Sequence, residues 1–191
     1  MAIADRLARL TRPGGALSRL LPVPGLDPRR NLLRDAWDLL GGVPGGKAVF
    51  SALVGRMAPY TASIHAQVTV LRPGYAEVQM ADRKGLRNHL DCVHAIALAN
   101  LAELAGNLAL AYSLPDDARF IVSGMELEYL KKARGVITAT GEPPIPRTAA
   151  RAHFDVPVVL RNAAGEEVVR AVLHSLVGPK PGSPSDRGDV N

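Results

Sequence analysis

The chain has 191 residues, 47% of them hydrophobic, a single cysteine and a formal net charge of +5 at pH 7. This length and apolar content fit one ordinary domain with its own core. A single cysteine excludes an internal disulfide and a cysteine-based zinc cluster. Aromatic residues make up only 4% of the chain and do not alternate with basic residues, so we expect no nucleic-acid partner.

The positive charge is concentrated at the N-terminus, where residues 1–34 contain seven arginines but only two aspartates. Arg6, Arg9 and Arg12 fit a short amphipathic helix suited to an anionic membrane surface or an acidic partner. We favour an arm that packs on a neighbouring subunit over membrane binding. The N-terminus lacks a secretory signal pattern, although its composition also fits an organelle transit peptide. No apolar run approaches the length of a membrane span, and we expect a cytoplasmic protein.

The first 45 residues are predicted to form a helical arm that ends in a glycine-rich breaker at residues 41–46. Apolar residues recur at helical spacing over residues 31–40, and a second helix is predicted over residues 47–57, before Pro59. The main domain is predicted to span residues 46–178. A tail at residues 179–191, rich in Pro, Gly, Ser and Asp, is predicted to be disordered.

Six strands and one long helix are predicted within the main domain. Alternating apolar residues and β-branched side chains predict strands over residues 63–71 and 75–81, joined at Arg72-Pro73-Gly74, and later over residues 119–130, 136–140, 150–160 and 167–177. The alanine-rich helix between the two sets is predicted to begin near Cys92 or Val93. Its alanines and Gly106 would let it approach a sheet closely. The order of two strands, one long helix and four strands indicates an antiparallel sheet with the helix packed into its curve.

Three polar residues around the start of this helix carry a family resemblance. Asn88 precedes His94 by six residues and Glu103 follows His94 by nine, and this spacing resembles the phenylacetate-type branch of the hot-dog thioesterases. The stretches Ala58-Pro59-Tyr60 and 128–135 resemble a less characterised branch, usually named only as a domain of unknown function. The resemblance implies an α+β hot-dog fold, in which a curved antiparallel sheet wraps around one central helix. It also implies a homodimer or dimer of dimers with a site at each interface.

The same resemblance implies roles for these side chains. Glu103 would act as a general base or as a nucleophile, Asn88 would bond the thioester oxygen, and His94 would position the site or donate to the carbonyl. Simpler interpretations remain open, because Asn88 also fits a turn and His94 an interface histidine. Asp91 is interpreted as the N-cap of the helix.

Further candidate residues lie on the helix itself. Backbone N–H groups near His94 and Ala95 would stabilise an oxyanion at the positive end of the helix dipole. The resembling family has two glycines after the histidine, whereas this chain has Ala95 and Ile96. Asn100 and Asn107 fall on roughly the same face as Glu103 and are candidates for substrate binding, although such a stripe also fits a solvated helix face.

Lys131, Lys132 and Arg134 are candidates for binding the phosphates of coenzyme A, with an exposed basic hairpin as the alternative. Coenzyme A is expected only as part of the substrate. The sequence has no metal-binding histidine pair, phosphate loop, dinucleotide motif or serine-hydrolase elbow, so we expect no metal and no other cofactor.

The sequence therefore predicts a cytoplasmic, dimeric acyl-CoA hydrolase in which a carboxylate assists attack on a thioester. A noncatalytic acyl-ligand-binding or structural hot-dog protein is the alternative, supported by Ala95 and Ile96 in place of glycines. A hot-dog dehydratase ranks last, because the chain lacks the histidine and acidic pattern that we associate with those enzymes.

Overall fold

A computed structural model describes residues 30–187. The elements in chain order are α1 (Leu32–Leu40), α2 (Gly46–Met57), α3 (Pro59–Ala62), β1 (Gln67–Arg72), β2 (Tyr75–Met80), a 3-10 turn (Lys84–Leu86), α4 (Ala95–Ser113), β3 (Ala118–Tyr129), β4 (Ile137–Gly141), β5 (Ala152–Arg161), β6 (Glu167–Pro179) and a second 3-10 turn (Pro184–Arg187). The predicted amphipathic helix with Arg6, Arg9 and Arg12 lies outside the described residues, as do residues 188–191.

The six strands form one sheet in the order β1-β2-β4-β5-β6-β3, and every neighbouring pair is antiparallel. Helix α4 contacts all six strands, which requires the sheet to curve around the helix. The predicted α+β arrangement of one helix wrapped by an antiparallel sheet is confirmed. Each predicted strand is present, with boundaries that differ by a few residues at most.

Small residues allow α4 to lie close to the sheet. A Cβ atom added at Gly106 would stand 2.8 Å from Cδ2 of Leu173, and one added at Gly141 would stand 2.9 Å from the carbonyl oxygen of Ala105. Of the 19 residues in α4, 13 are buried. Among residues 30–187, α4 is the one helix long and apolar enough to cross a membrane by length and composition, but its position in the core already accounts for that composition.

The helices before the sheet pack onto the main domain. Asn31 caps α1, and its amide group donates to a backbone carbonyl of α4. The Trp37 ring meets the Phe50 ring edge-on at 5.0 Å between centroids, and the Tyr112 hydroxyl donates to Asp38 at 2.7 Å. The described part of the predicted arm therefore shares the core of the sheet and α4.

The chain after β6 turns back onto the start of β3. The Lys180 backbone N–H donates to the Asp117 carbonyl at 2.7 Å, and Ser185 bonds the Asp117 carboxylate. Residues 180–187, which the sequence assigns to a disordered tail, thus form a turn and a short 3-10 helix.

Candidate active site

Helix α4 begins at Ala95, and His94 is its N-cap. Nδ1 of His94 accepts a hydrogen bond from the Ile96 backbone N–H at 3.1 Å. The helix therefore starts two or three residues later than predicted, and the prediction that Asp91 caps it is wrong. Asp91 has a φ of 51°, and its carboxylate accepts from Arg87 at 2.8 Å. The left-handed backbone at Asp91 turns the chain before the helix can begin.

Asn88 shapes the loop that leads into α4. Its side-chain oxygen accepts from the Leu90 backbone N–H at 2.9 Å and lies 3.4 Å from Sγ of Cys92. The backbone N–H of Asn88 donates to the backbone carbonyl of Cys92 at 2.9 Å. These contacts match the turn interpretation of Asn88, and they leave its half-buried amide at the edge of a pocket.

Sequence reasoning missed the pair that holds this loop. The guanidinium of Arg87 donates twice to Asp82, at 2.8 and 3.1 Å, and the Gly135 N–H donates to the same carboxylate at 3.0 Å. The Asp82 side chain is only 5% exposed, and the hydrogen bond from Arg87 lowers its pKa. The one available signal was an aspartate directly after the strand predicted over residues 75–81.

A shallow pocket of about 330 Å³ lies between the start of α4 and the end of β3. Its lining residues are Asn88, Cys92, Val93, Ala95, Leu98, Tyr129, Leu130, Lys131, Lys132 and Ala133. The fold thus brings four of the predicted site residues together. His94, Asn100, Glu103, Asn107 and Arg134 do not line this pocket.

One backbone donor at the start of α4 has no acceptor within residues 30–187. The backbone N–H of His94 donates to the Leu86 carbonyl at 2.8 Å. The backbone N–H of Ile96 donates to Nδ1 of the His94 ring. The Ala95 N–H remains available, at the positive end of the helix dipole. The Ile96 side chain is 53% exposed, and the Tyr129 hydroxyl donates to the Ala95 carbonyl at 3.1 Å. Burial raises the pKa of Tyr129.

The three basic residues proposed for phosphate binding have different surroundings. Lys131 forms an ion pair with Glu166 at 2.6 Å, which lowers the pKa of Glu166. Arg134 donates to the backbone carbonyls of Asp91 and Leu90 and so supports the loop before α4. The exposed Lys132 has no hydrogen-bond or ion-pair partner within residues 30–187.

Glu103 lies on the face of α4 that points away from the sheet, together with Asn100 and Asn107. Within residues 30–187 its half-buried carboxylate has no hydrogen-bond or ion-pair partner. The Asn100 amide donates to the Tyr60 carbonyl at 3.3 Å, whereas the buried side-chain oxygens of Asn100 and Asn107 accept no hydrogen bond. Two buried amide oxygens on this face therefore lack donors within residues 30–187, an arrangement that buried polar groups rarely show.

Glu103 and the start of α4 are well separated within one chain. Eight residues of helix correspond to about 12 Å along the axis. The carboxylate and the Ala95 N–H of one chain therefore do not meet at one thioester. Within the described part of the chain, no group of three or more His, Cys, Asp or Glu side chains is arranged to hold a metal ion.

Comparison with known proteins relates the chain to one sequence family and to several solved structures. Residues 46–177 match the family described as Domain of unknown function (DUF4442). A structural-genomics protein of known structure is 38% identical, with a TM-score of 0.68, over 78% of this chain and 99% of that chain. No curated protein matches the sequence significantly.

Two more distant structures share the fold. A protein of unknown function from Pseudomonas aeruginosa, described as a probable thioesterase, is 22% identical with a TM-score of 0.63, over 72% of this chain and 97% of that one. A thioesterase family protein from Silicibacter pomeroyi is 15% identical with a TM-score of 0.56, over 68% and 96%. The antiparallel sheet around α4 is the hot-dog fold of these proteins.

Proposed function

Because the chain belongs to the DUF4442 family and has the hot-dog fold, we propose that it hydrolyses acyl thioesters, with acyl-CoA as the substrate class. Two structures of the same fold are described as a probable thioesterase and a thioesterase family protein. The observation that carries the proposal is the half-buried carboxylate of Glu103, which has no partner within residues 30–187 and so is available to a substrate or a water molecule.

In the proposed reaction, Glu103 takes a proton from a water molecule whose oxygen attacks the thioester carbonyl carbon, and the coenzyme A thiolate leaves. Alternatively, the carboxylate attacks the carbonyl carbon itself and displaces the coenzyme A thiolate, and water then hydrolyses the resulting mixed anhydride to the free acid and the carboxylate. The Ala95 N–H, at the positive end of α4, would stabilise the negative charge on the carbonyl oxygen.

The distance along α4 leads us to propose a site built from two copies, with Ala95 from one and Glu103 from the other. A homodimer or a dimer of dimers would supply such sites. Asn88 would position the thioester at the pocket edge, His94 would hold the donor end of the helix, and Asn100 and Asn107 would flank the carboxylate. Lys131 and Lys132 would meet the coenzyme A phosphates, because both line the pocket.

The test is release of free coenzyme A from short, medium, long and aromatic acyl-CoAs by wild type, Glu103→Gln and Glu142→Gln. Glu142 is an exposed carboxylate in the loop after β4 and serves as the matched control. We expect Glu103→Gln to lower turnover by at least about a hundredfold, the range of general-base removal, and Glu142→Gln to retain it. Equal turnover in all three proteins would refute the assignment of Glu103.

A noncatalytic acyl-ligand-binding protein is the second candidate. It is favoured by the start of α4, where the His94 ring accepts from the Ile96 backbone N–H and so removes one donor that could stabilise an oxyanion. The Ile96 side chain is also exposed to solvent there. In that case wild type would release no coenzyme A from any substrate in the panel, yet calorimetry would detect binding of a nonhydrolysable acyl-CoA thioether.

A further inference from the structure

A second pocket, of about 400 Å³, lies at the end of α4 that is opposite to the candidate active site. It is formed by the start of α1, the end of α4 and the start of β3. Its apolar walls are the side chains of Leu32, Ala111, Leu114, Ala118 and Phe120. Leu114 and Ala118 are buried, whereas Leu32 is 40% exposed. A concave site of this size with mostly apolar walls is typical of small-molecule binding.

Three cations also line this second pocket: Arg30, Arg119 and Lys180. Arg30 forms an ion pair with Asp35 at 3.0 Å. The Arg119 guanidinium uses its Nε for the Pro179 carbonyl, which leaves its terminal nitrogens for a ligand. The Lys180 ammonium group donates to the Arg30 carbonyl at 2.8 Å, and this contact holds it beside the pocket. Among residues 30–187 no acidic side chain lines the pocket, so its charge favours an anionic ligand.

The negative end of α4 adjoins the pocket, but side chains already occupy its carbonyl groups. Unpaired carbonyls at the end of a helix would repel an anion. The Asn31 amide donates to the Ala111 carbonyl at 2.7 Å and to the Leu114 carbonyl at 3.2 Å. The Arg34 guanidinium also donates to the Leu114 carbonyl, at 3.1 Å, and forms an ion pair with Asp116. The acceptors and the acid at this end of α4 therefore have donors of their own, and the three lining cations remain the main charges that a ligand meets.

We propose that the second pocket binds an amphipathic carboxylate, that is, a free acid with an unbranched apolar chain. The head group lies between Arg119 and Lys180, with one carboxylate oxygen for each cation, because Asp35 already engages Arg30. Charge-assisted hydrogen bonds of this kind are stronger than neutral ones. The chain lies against the apolar walls, where each buried methylene group strengthens binding about fourfold. Head group and chain are therefore both required for binding.

Isothermal titration calorimetry of the full chain with decanoate tests the proposal without depending on turnover. We expect decanoate to bind and decylamine, which has the same chain and the opposite charge, not to bind. Hexanoate should bind at least about tenfold more weakly, because it buries fewer methylene groups. Absence of decanoate binding, or equal binding of decanoate and decylamine, would overturn the proposal. Tighter binding of decyl phosphate than of decanoate would also overturn it, because the site would then select phosphate esters.

Two matched variants show which pocket holds the acid. Arg119→Gln removes an exposed cation from the second pocket, and we expect it to raise the dissociation constant of decanoate about tenfold or more, as for the loss of a hydrogen bond to a charged group. Lys132→Gln removes an exposed cation from the pocket at the start of α4 and should leave the dissociation constant unchanged. The reverse pattern would place the acid in the candidate active site and overturn the proposal.

Backbone amide signals give a second measurement on the unmodified protein. In NMR spectra recorded during a titration with decanoate, the amides of Ala118 and Phe120 should shift, whereas those of Ala95 and Leu98 at the other pocket should not. Shifts confined to Ala95 and Leu98 would contradict the assignment. Neither measurement involves Glu103 or thioester hydrolysis, so a protein that binds decanoate but releases no coenzyme A would count against the proposed function alone.

Discussion

At the scale of single residues, His174 is the group whose surroundings most clearly predict a pH effect. It lies on the outward face of the sheet, with Nδ1 2.7 Å from a carboxylate oxygen of Asp155 and Nε2 3.4 Å from Glu126. The hydrogen bond to Asp155 raises the pKa of His174 above its ordinary value of 6.5, and Glu126 adds to this effect. Because the folded protein holds the proton more tightly than the unfolded chain, the pair stabilises the fold most fully below pH 6.5.

We therefore predict that Asp155→Asn lowers the pKa of His174, measured by an NMR titration of the imidazole ring. The difference in unfolding free energy between wild type and variant should be largest below pH 6.5 and should shrink as the pH rises through the folded pKa. Glu126→Gln should cause a smaller decrease in the pKa. Identical titration curves for wild type and Asp155→Asn would contradict the prediction.

The loop before α4 shows which residue roles the sequence can reveal. A turn at Asn88 was an alternative to its predicted catalytic role, based on residue type, because asparagine bonds nearby backbone groups. Asp91 was predicted to be the N-cap of α4 on the same local grounds. Its carboxylate instead accepts a hydrogen bond from Arg87, and His94 is the N-cap. The partners of Asp82 lie 5 and 53 residues away, and no local pattern records such contacts.

At the scale of secondary structure elements, the distance between α4 and β4 depends on one glycine. A Cβ at Gly141 would meet the backbone of the helix, at 2.9 Å from the Ala105 carbonyl oxygen and 3.1 Å from Cα of Gly106. Backbone atoms cannot rotate away as a side chain can, so the helix or the strand must shift.

We predict that Gly141→Ala destabilises the protein by about 1–3 kcal/mol, the usual range for overpacking, measured by urea unfolding. Gly178→Ala is the matched control, since Gly178 also lies in a strand and a Cβ there meets nothing within 4 Å. Its free energy of unfolding should stay close to that of wild type. Equal effects at the two positions would show that the approach of α4 does not limit packing.

The elements themselves were largely predictable, because their patterns are local. Alternating burial in β2 and β6 follows the apolar residues seen in the sequence, and the hairpin turns at Gly74, with a φ of 70°. The bulge in β3 was not predicted, since it depends on the register with β6. The register of β3 with β6 shifts between Val122 and Gly124, and this shift is set by two strands that are far apart in the sequence.

At the scale of the whole molecule, the candidate site is divided between distant surfaces. Family spacing placed Asn88, His94 and Glu103 in one site, but an α-helix separates positions 95 and 103 by about 12 Å. The spacing of residues along the sequence does not give the distance between their side chains, and it does not show whether the residues of a site come from one copy of the chain. The fold was predictable from the order of elements, whereas under the proposed function the composition of the site depends on how two copies pair.

The arm was predicted to be helical in pieces that cover the sheet, and α1 packs on the core of the main domain. Trp37 is 8% exposed and contacts Phe50, and Asp38 accepts from Tyr112 of α4. Because Trp37 is the single tryptophan, its fluorescence reports whether α1 is docked, while circular dichroism at 222 nm reports the helices as a whole.

We predict that the two signals give the same urea midpoint, as expected when α1 and the core unfold as one cooperative unit. Asp38→Ala should shift both midpoints together to lower urea, because it removes the partner of a largely buried hydroxyl. A fluorescence transition that precedes the circular dichroism transition would instead establish α1 as an independently detaching arm.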